Sequence, residues 1–350
     1  MSCEAGAVAV EPLKLHVAFI WYNVGMDGLD TCLARAIGRP MALSRGEIAA
    51  LLALDDDAEA ELLFAAAREV KRRVGKDETL PRGLVECSNV CARDCLYCGI
   101  RKSNSACSRY RLAESEVLAC VDEARRRGYP AVAFQAGEVE SEENTAYYER
   151  LLAACGGLEV TLSLGEQTED VYRRWKAVGA MRYLIRIETS DRDLYSRIHP
   201  ADCSYDRRVG CIRALKRIGY VTGTGVMIGL PGQTVPMLAD DIVFFGRERV
   251  DMVGMGPYLA HPGTPLADAA AEGPCVTSEE KLRLALRMIA VARLYLHDVN
   301  IVAATALEAL DPQRGRARGI DAGANVVMPV LTPPAARRAY DLYPGKASAR

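Results

Sequence analysis

From residue 84 to near its end the chain repeats one pattern: a short apolar run, a turn, then an amphipathic stretch carrying charges. The runs fall at 84–89, 131–135, 159–164, 183–187, 222–228, 252–256, 300–304 and 325–328, with helical periodicity between them at, for example, 114–127, 170–178, 207–218, 236–248 and 281–296. Runs too short for helices that alternate with longer amphipathic segments predict parallel strands joined by helical crossovers. Eight such units predict an α/β fold, a (β/α)8 TIM-type barrel, with a doubly wound open sheet as the alternative.

The barrel register gives the polar residues a common address. Cys91, Cys95 and Cys98 follow the first run, Gly137-Glu138 the second, Gly165-Glu166 the third, Glu188-Thr189 the fourth and Leu230-Pro231-Gly232 the fifth. In a parallel barrel all of these lie at the C-terminal mouth, where active sites are built. Ahead of the barrel, Ser44 and Glu47 form a capping-box pattern, and a second helix is expected over 58–74 after Asp55-Asp56-Asp57. The expected organisation is therefore a 1–25 extension, with Met26 an alternative start, a 26–83 helical segment acting as lid or base, the barrel over 84–346, and a 347–350 tail.

Composition excludes several function classes. Lys plus Arg number 44 against 46 Asp plus Glu, so no basic field suggests a nucleic-acid or membrane surface. No apolar run is long enough to span a bilayer. The 12 cysteines are scattered outside 87–107 and no signal pattern precedes them, which points to a reducing, cytoplasmic compartment.

The cysteine loop carries the chemistry. Cys91, Cys95 and Cys98, spaced x3 and x2, are one ligand short of a closed zinc or iron–sulfur site, and an open coordination position is where metals react. The histidines, His16, His199, His261 and His297, have no metal-finger spacing. The other local triad, Cys87, Cys91 and Cys95, is less suitable because Cys87 falls within the first run.

A Cys-x3-Cys-x2-Cys loop with Tyr97 before its last cysteine, after the first strand of a barrel, resembles the radical S-adenosylmethionine (SAM) superfamily. The resemblance implies that Cys91, Cys95 and Cys98 hold three irons of a [4Fe–4S] cluster and that SAM chelates the fourth. Reductive cleavage of SAM then yields a 5′-deoxyadenosyl radical. It also implies that Tyr97 packs on adenine, Gly137-Glu138 receives the SAM ammonium, Glu188 the ribose hydroxyls and Arg208 the SAM carboxylate. Gln135, at the end of the second run, joins this cofactor-binding set.

Further segments narrow the resemblance to the family of the [FeFe]-hydrogenase maturase HydE, related to biotin synthase and methylornithine synthase. They include 95–101, 161–166, 227–234, 251–257, 261–266, 323–329 and 342–346. This family implies a large barrel cavity lined by Ser163, Arg186, Thr305, Met328 and Tyr340. It also implies an organoiron cysteine substrate delivered by the maturase HydG, a product passed to HydF, and a low-potential donor such as ferredoxin or flavodoxin. Two departures stand out: no cysteine follows Cys275, so no second C-terminal cluster is expected, and Ile187 occupies a position that is often histidine. The rival readings are a methylornithine synthase-like mutase and a non-catalytic iron–sulfur scaffold.

Overall fold

The apolar runs become one parallel sheet. The computed structural model describes residues 28–272 and 277–346, so the 1–25 extension and the 347–350 tail lie outside the described residues. The principal strands are β1 (Leu80–Ser88), β2 (Ala131–Ala136), β3 (Glu159–Ser163), β4 (Ala180–Leu184), β5 (Val221–Thr224), β7 (Met252–Val253), β9 (Asn300–Ile301) and β10 (Val326–Val327). They pair in the order β10-β1-β2-β3-β4-β5-β7-β9, every pair parallel. A parallel bridge between Val302 and Val326 closes the ring, supported by Asn325 N–H donating to Ile301 O at 3.0 Å and Ala303 N–H to Val326 O at 2.9 Å. The result is a barrel and not an open sheet. At its upper rim β6 (Met227–Ile228) and β8 (Gly256–Pro257) extend β5 and β7 as a separate parallel pair.

Residues of one strand alternate between barrel interior and helical shell, so register decides what faces the cavity. Glu86 of β1 is level with Gln135 of β2, and Gln135 with Ser163 of β3, which sets three polar residues in one row. The row two residues below is apolar or small: Leu84 is level with Ala133, and Ala133 with Thr161.

The expected N-terminal cap is present. Ser44 Oγ accepts Glu47 N–H at 3.2 Å while Glu47 Oε2 accepts Ser44 N–H at 2.7 Å, starting the helix Arg45–Leu52. Asp56 caps the next, Asp57–Arg73. The long helix Ser278–Leu296 is buried along most of its length and carries Arg293, a fully buried guanidinium that makes no ion pair with a carboxylate among the described residues. Arg293 instead donates to Gly323 O at 2.9 Å, Val299 O at 2.9 Å and Asn325 Oδ1 at 3.0 Å, and Asn325 Oδ1 also accepts Ile301 N–H. Carbonyl acceptors thus tie the two short closing strands together below the cavity.

Candidate active site

The segment after β1 makes no regular structure, so its backbone groups need other partners. Two side chains supply many of them. Arg109 donates to the carbonyls of Asn89 and Ile100, both at 2.7 Å, and of Arg101 at 2.6 Å. Asn89 Nδ2 donates to Ser108 O at 2.7 Å and Ala339 O at 2.8 Å, while its Oδ1 accepts Tyr110 N–H. Gly99 N–H donates to Leu342 O, and a Cβ on Gly99 would stand 2.0 Å from Asp341 O. The C-terminal segment is therefore strapped across the loop.

Within this frame Cys91 Sγ accepts the N–H groups of Glu138 at 3.3 Å and Arg93 at 3.4 Å. A Cβ on Gly137 would lie 2.2 Å from Val90 O, so only glycine lets β2 approach the loop this closely. Burial pushes the Cys91 thiol up and the Cys98 thiol to about 12, whereas Cys95 is raised first by a hydrogen bond with Cys203 and then by burial. Metal coordination is what turns such thiols into thiolates. Among the described residues no group of three or more His, Cys, Asp or Glu converges to hold a single metal ion. In an iron–sulfur cubane the protein thiolates each bind a different iron.

Beside the loop lies a charged network with little solvent. Glu138 pairs with Arg93 and accepts Glu166 N–H at 2.8 Å. Arg208, buried on its helix, donates to Glu166 Oε1 at 2.7 Å and to Arg186 O at 2.6 Å, and comes within 4.0 Å of Glu138. Arg186 pairs with Glu188 at 2.9 Å and donates to Val226 O at 2.9 Å. Glu188 has φ of +66°, a left-handed conformation costly for a side chain-bearing residue. Backbone bonds on both sides fix it there, Glu188 N–H to Gly225 O and Met227 N–H to Glu188 O, each at 3.0 Å.

Tyr97 is positioned by a histidine. His199 Nδ1 lies 2.9 Å from the Tyr195 carbonyl, which can only accept, so Nδ1 carries the proton and Nε2 accepts from Tyr97 OH at 3.2 Å. Burial lowers the His199 pKa to about 3, so the ring stays neutral across the physiological range.

Of these groups the three cysteines, Arg93, Tyr97, Glu138, Arg186, Glu188 and Arg208 line one cavity of about 320 Å³. Its wall contains every residue to which the resemblance gave a cluster-, cofactor- or cavity-lining role, namely Cys91, Cys95, Cys98, Tyr97, Gln135, Gly137, Glu138, Ser163, Arg186, Glu188, Arg208, Thr305, Met328 and Tyr340, whereas Glu166, Thr189 and Leu230-Pro231-Gly232, also at strand ends, are not part of it. It also contains Arg93, Gly254, Gly256, Tyr343 and Lys346, to which sequence reasoning gave no role. Arg93 lies between two of the cysteines and Lys346 ends a segment already noticed, so position alone drew attention to them, without a partner to give them meaning.

Residues 85–245 match the family described as the Radical SAM superfamily. Across 301 residues the chain is 39% identical to the [FeFe] hydrogenase maturase subunit HydE of Thermotoga maritima, covering 84% of this chain and 82% of that protein. The chain belongs to the radical SAM superfamily, in the HydE family. A 3-methylornithine synthase of Methanosarcina acetivorans is 25% identical over 83% of this chain and 80% of its own. The crystal structure of a methylornithine synthase superposes with a TM-score of 0.74 at 23% identity, covering 85% of each chain, which bears on the fold alone. The HydE-family chain is thus an enzyme, and its superfamily implies a [4Fe–4S] cluster and SAM as cofactors. None of its described helices is long and apolar enough to cross a membrane.

Proposed function

We propose that this radical SAM enzyme takes part in maturing the [FeFe]-hydrogenase active site, acting on an organoiron cysteine precursor of the diiron subcluster. The observation that carries this reading is the 39% identity to a HydE maturase over 84% of the chain. Cys91, Cys95 and Cys98 hold the cluster, consistent with the donor set and the N–H groups aimed at Cys91. Bound together, the cluster and SAM supply a 5′-deoxyadenosyl radical. Glu138 receives the SAM ammonium, Arg208 its carboxylate, Glu188 the ribose hydroxyls, and Tyr97, steadied by His199, packs on adenine; Gln135 completes this set. Ser163, Arg186, Thr305, Met328 and Tyr340 shape the substrate chamber. HydG supplies the substrate, HydF receives the product, a ferredoxin or flavodoxin supplies the electron, and no second cluster is needed.

Omission of this protein from a cell-free hydrogenase maturation mixture tests the reading. Hydrogenase activity should fall to background; full activation without the protein would overturn the assignment. A methylornithine synthase-like mutase is the second reading, favoured by one feature, the buried Lys346, which lines the cavity and pairs with Glu86. It predicts lysine consumption by the reconstituted enzyme, and none is expected.

A further inference from the structure

The three cysteines of the loop do not receive the same support. Cys91 accepts the N–H groups of Glu138 and Arg93, at 3.3 and 3.4 Å, and Cys98 accepts that of Ile100. Backbone donors of this kind come with the fold of the loop. Cys95 is different: no backbone N–H among the described residues reaches it, and its hydrogen-bond partner is the side chain of Cys203.

Cys203 lies outside the loop, in the 199–204 connection between the helices Arg192–Ile198 and Tyr205–Ile218. Three contacts bind this region to the loop. Leu96 N–H donates to Ile198 O at 3.0 Å, Tyr97 OH to His199 Nε2 at 3.2 Å, and Arg93 comes within 3.7 Å of Asp202. Cys203 N–H turns back onto Pro200 O at 2.9 Å, and Ser204 caps the following helix by accepting Arg207 N–H at 3.3 Å. The backbone around Cys203 is thus committed to the turn and the cap, and the thiol is left for Cys95. Cys203 does not line the cavity, so it meets Cys95 from outside the chamber and leaves the SAM side open.

With iron bound, Cys95 carries no proton, so the hydrogen in this contact belongs to Cys203. A thiol is a weak donor, but its bond to a cluster sulfur strengthens as the cluster gains negative charge. Such a bond favours the reduced cluster over the oxidised one. We infer that Cys203 is a positioning residue of the cluster: its S–H donates to the iron-bound sulfur of Cys95 and raises the reduction potential at which the cluster takes its electron. The inference rests on the reading of Cys95 as a cluster ligand and is independent of the substrate.

The test is an EPR-monitored redox titration of the cluster-reconstituted enzyme, without SAM, as wild type, Cys203→Ala and Cys203→Ser. Cys203→Ala removes the donor, and the ratio of reduced to oxidised cluster at a fixed potential should fall at least threefold, a downward shift of about 28 mV or more at about 59 mV per factor of ten. Cys203→Ser keeps an O–H donor, and its ratio should return to within about twofold of the wild type. Iron content should be the same in all of them. An unchanged or raised potential in Cys203→Ala, or equal shifts in the two variants, would overturn the inference. Loss of iron from either variant would do so too, because a donor of this kind tunes a cluster without holding it. Cys95→Ala separates the donor from the ligand. A cluster lost there, with no shift in Cys203→Ala, removes the donor alone; a full cluster in Cys95→Ala removes the ligand assignment and the donor with it.

Discussion

The two walls of the cavity are built on different principles. On the β1–β4 side Arg93, Glu138, Glu166, Arg186, Glu188 and Arg208 are tied to one another or to backbone carbonyls, so each charge has a defined direction. On the opposite side a stretch of Gly254, Gly256, Val302, Ala304 and Met328 presents no charge, next to the hydroxyls of Thr305 and Tyr343. A network of coupled charges resists change, because removing one member leaves another buried and unpaired. Small apolar residues change volume and leave the charges alone. The structure separates a fixed, charge-coupled side from an adjustable one; on the function proposed above the first would serve mainly SAM, with Arg186 reaching toward the chamber, and the second the substrate.

The largest expected effect lies at the root of the fixed side. Cys98→Ala should abolish the SAM-responsive EPR signal and lower 5′-deoxyadenosine formation at least hundredfold in an anaerobic dithionite assay. Arg208→Met leaves Glu166 without its bond at 2.7 Å, so SAM affinity, measured by equilibrium dialysis, should weaken by roughly a hundredfold, about 3 kcal/mol. On the adjustable side Gly256→Val is expected to do the opposite of both. A Cβ there meets Ala304 Cβ at 3.2 Å and narrows the chamber. Substrate-independent SAM cleavage should stay within about twofold, while any stimulation by substrate is lost. Equal losses in the two activities would erase the distinction between the walls.

The smallest effect concerns a carboxyl under the fixed side. Asp241 is completely buried, accepts Ser190 N–H at 2.6 Å beside Glu188-Thr189, and has its pKa raised by burial to about 7. The folded protein then binds a proton that the unfolded chain has released. Stability should fall as pH rises from about 4 to 7 and level off above it. Asp241→Asn should flatten the curve and raise Tm at pH 8 by roughly 5 °C; an unchanged pH profile would show that Asp241 is ionised in the fold.

The strand ends were legible because period and turn chemistry are local properties. The run expected over 183–187 appears as β4 at Ala180–Leu184, since exposed Met181 and the charged Arg182 break the apolar pattern where the strand begins. The run over 222–228 is interrupted at 225–226, between β5 and β6. Other features were not legible. Nothing in the spacing pairs β9 with β10, each two residues long, or Glu86 with a lysine 260 positions away. His199 looked like an unpaired histidine until the fold set it against Tyr97. Arg93 and Glu166 acquire partners only when three strand ends converge.

The strap over the cysteine loop has a consequence for the order of events in the cell. Asn89 is bonded to Ala339, 250 residues later, and Glu86 to Lys346, 260 later. The loop is therefore incompletely framed while the ribosome is still translating the barrel, and its final shape awaits the last segment of the strap. Iron delivery on this account follows synthesis, and a chain stalled or trimmed before Ala339 should emerge folded in its early strands yet poor in iron.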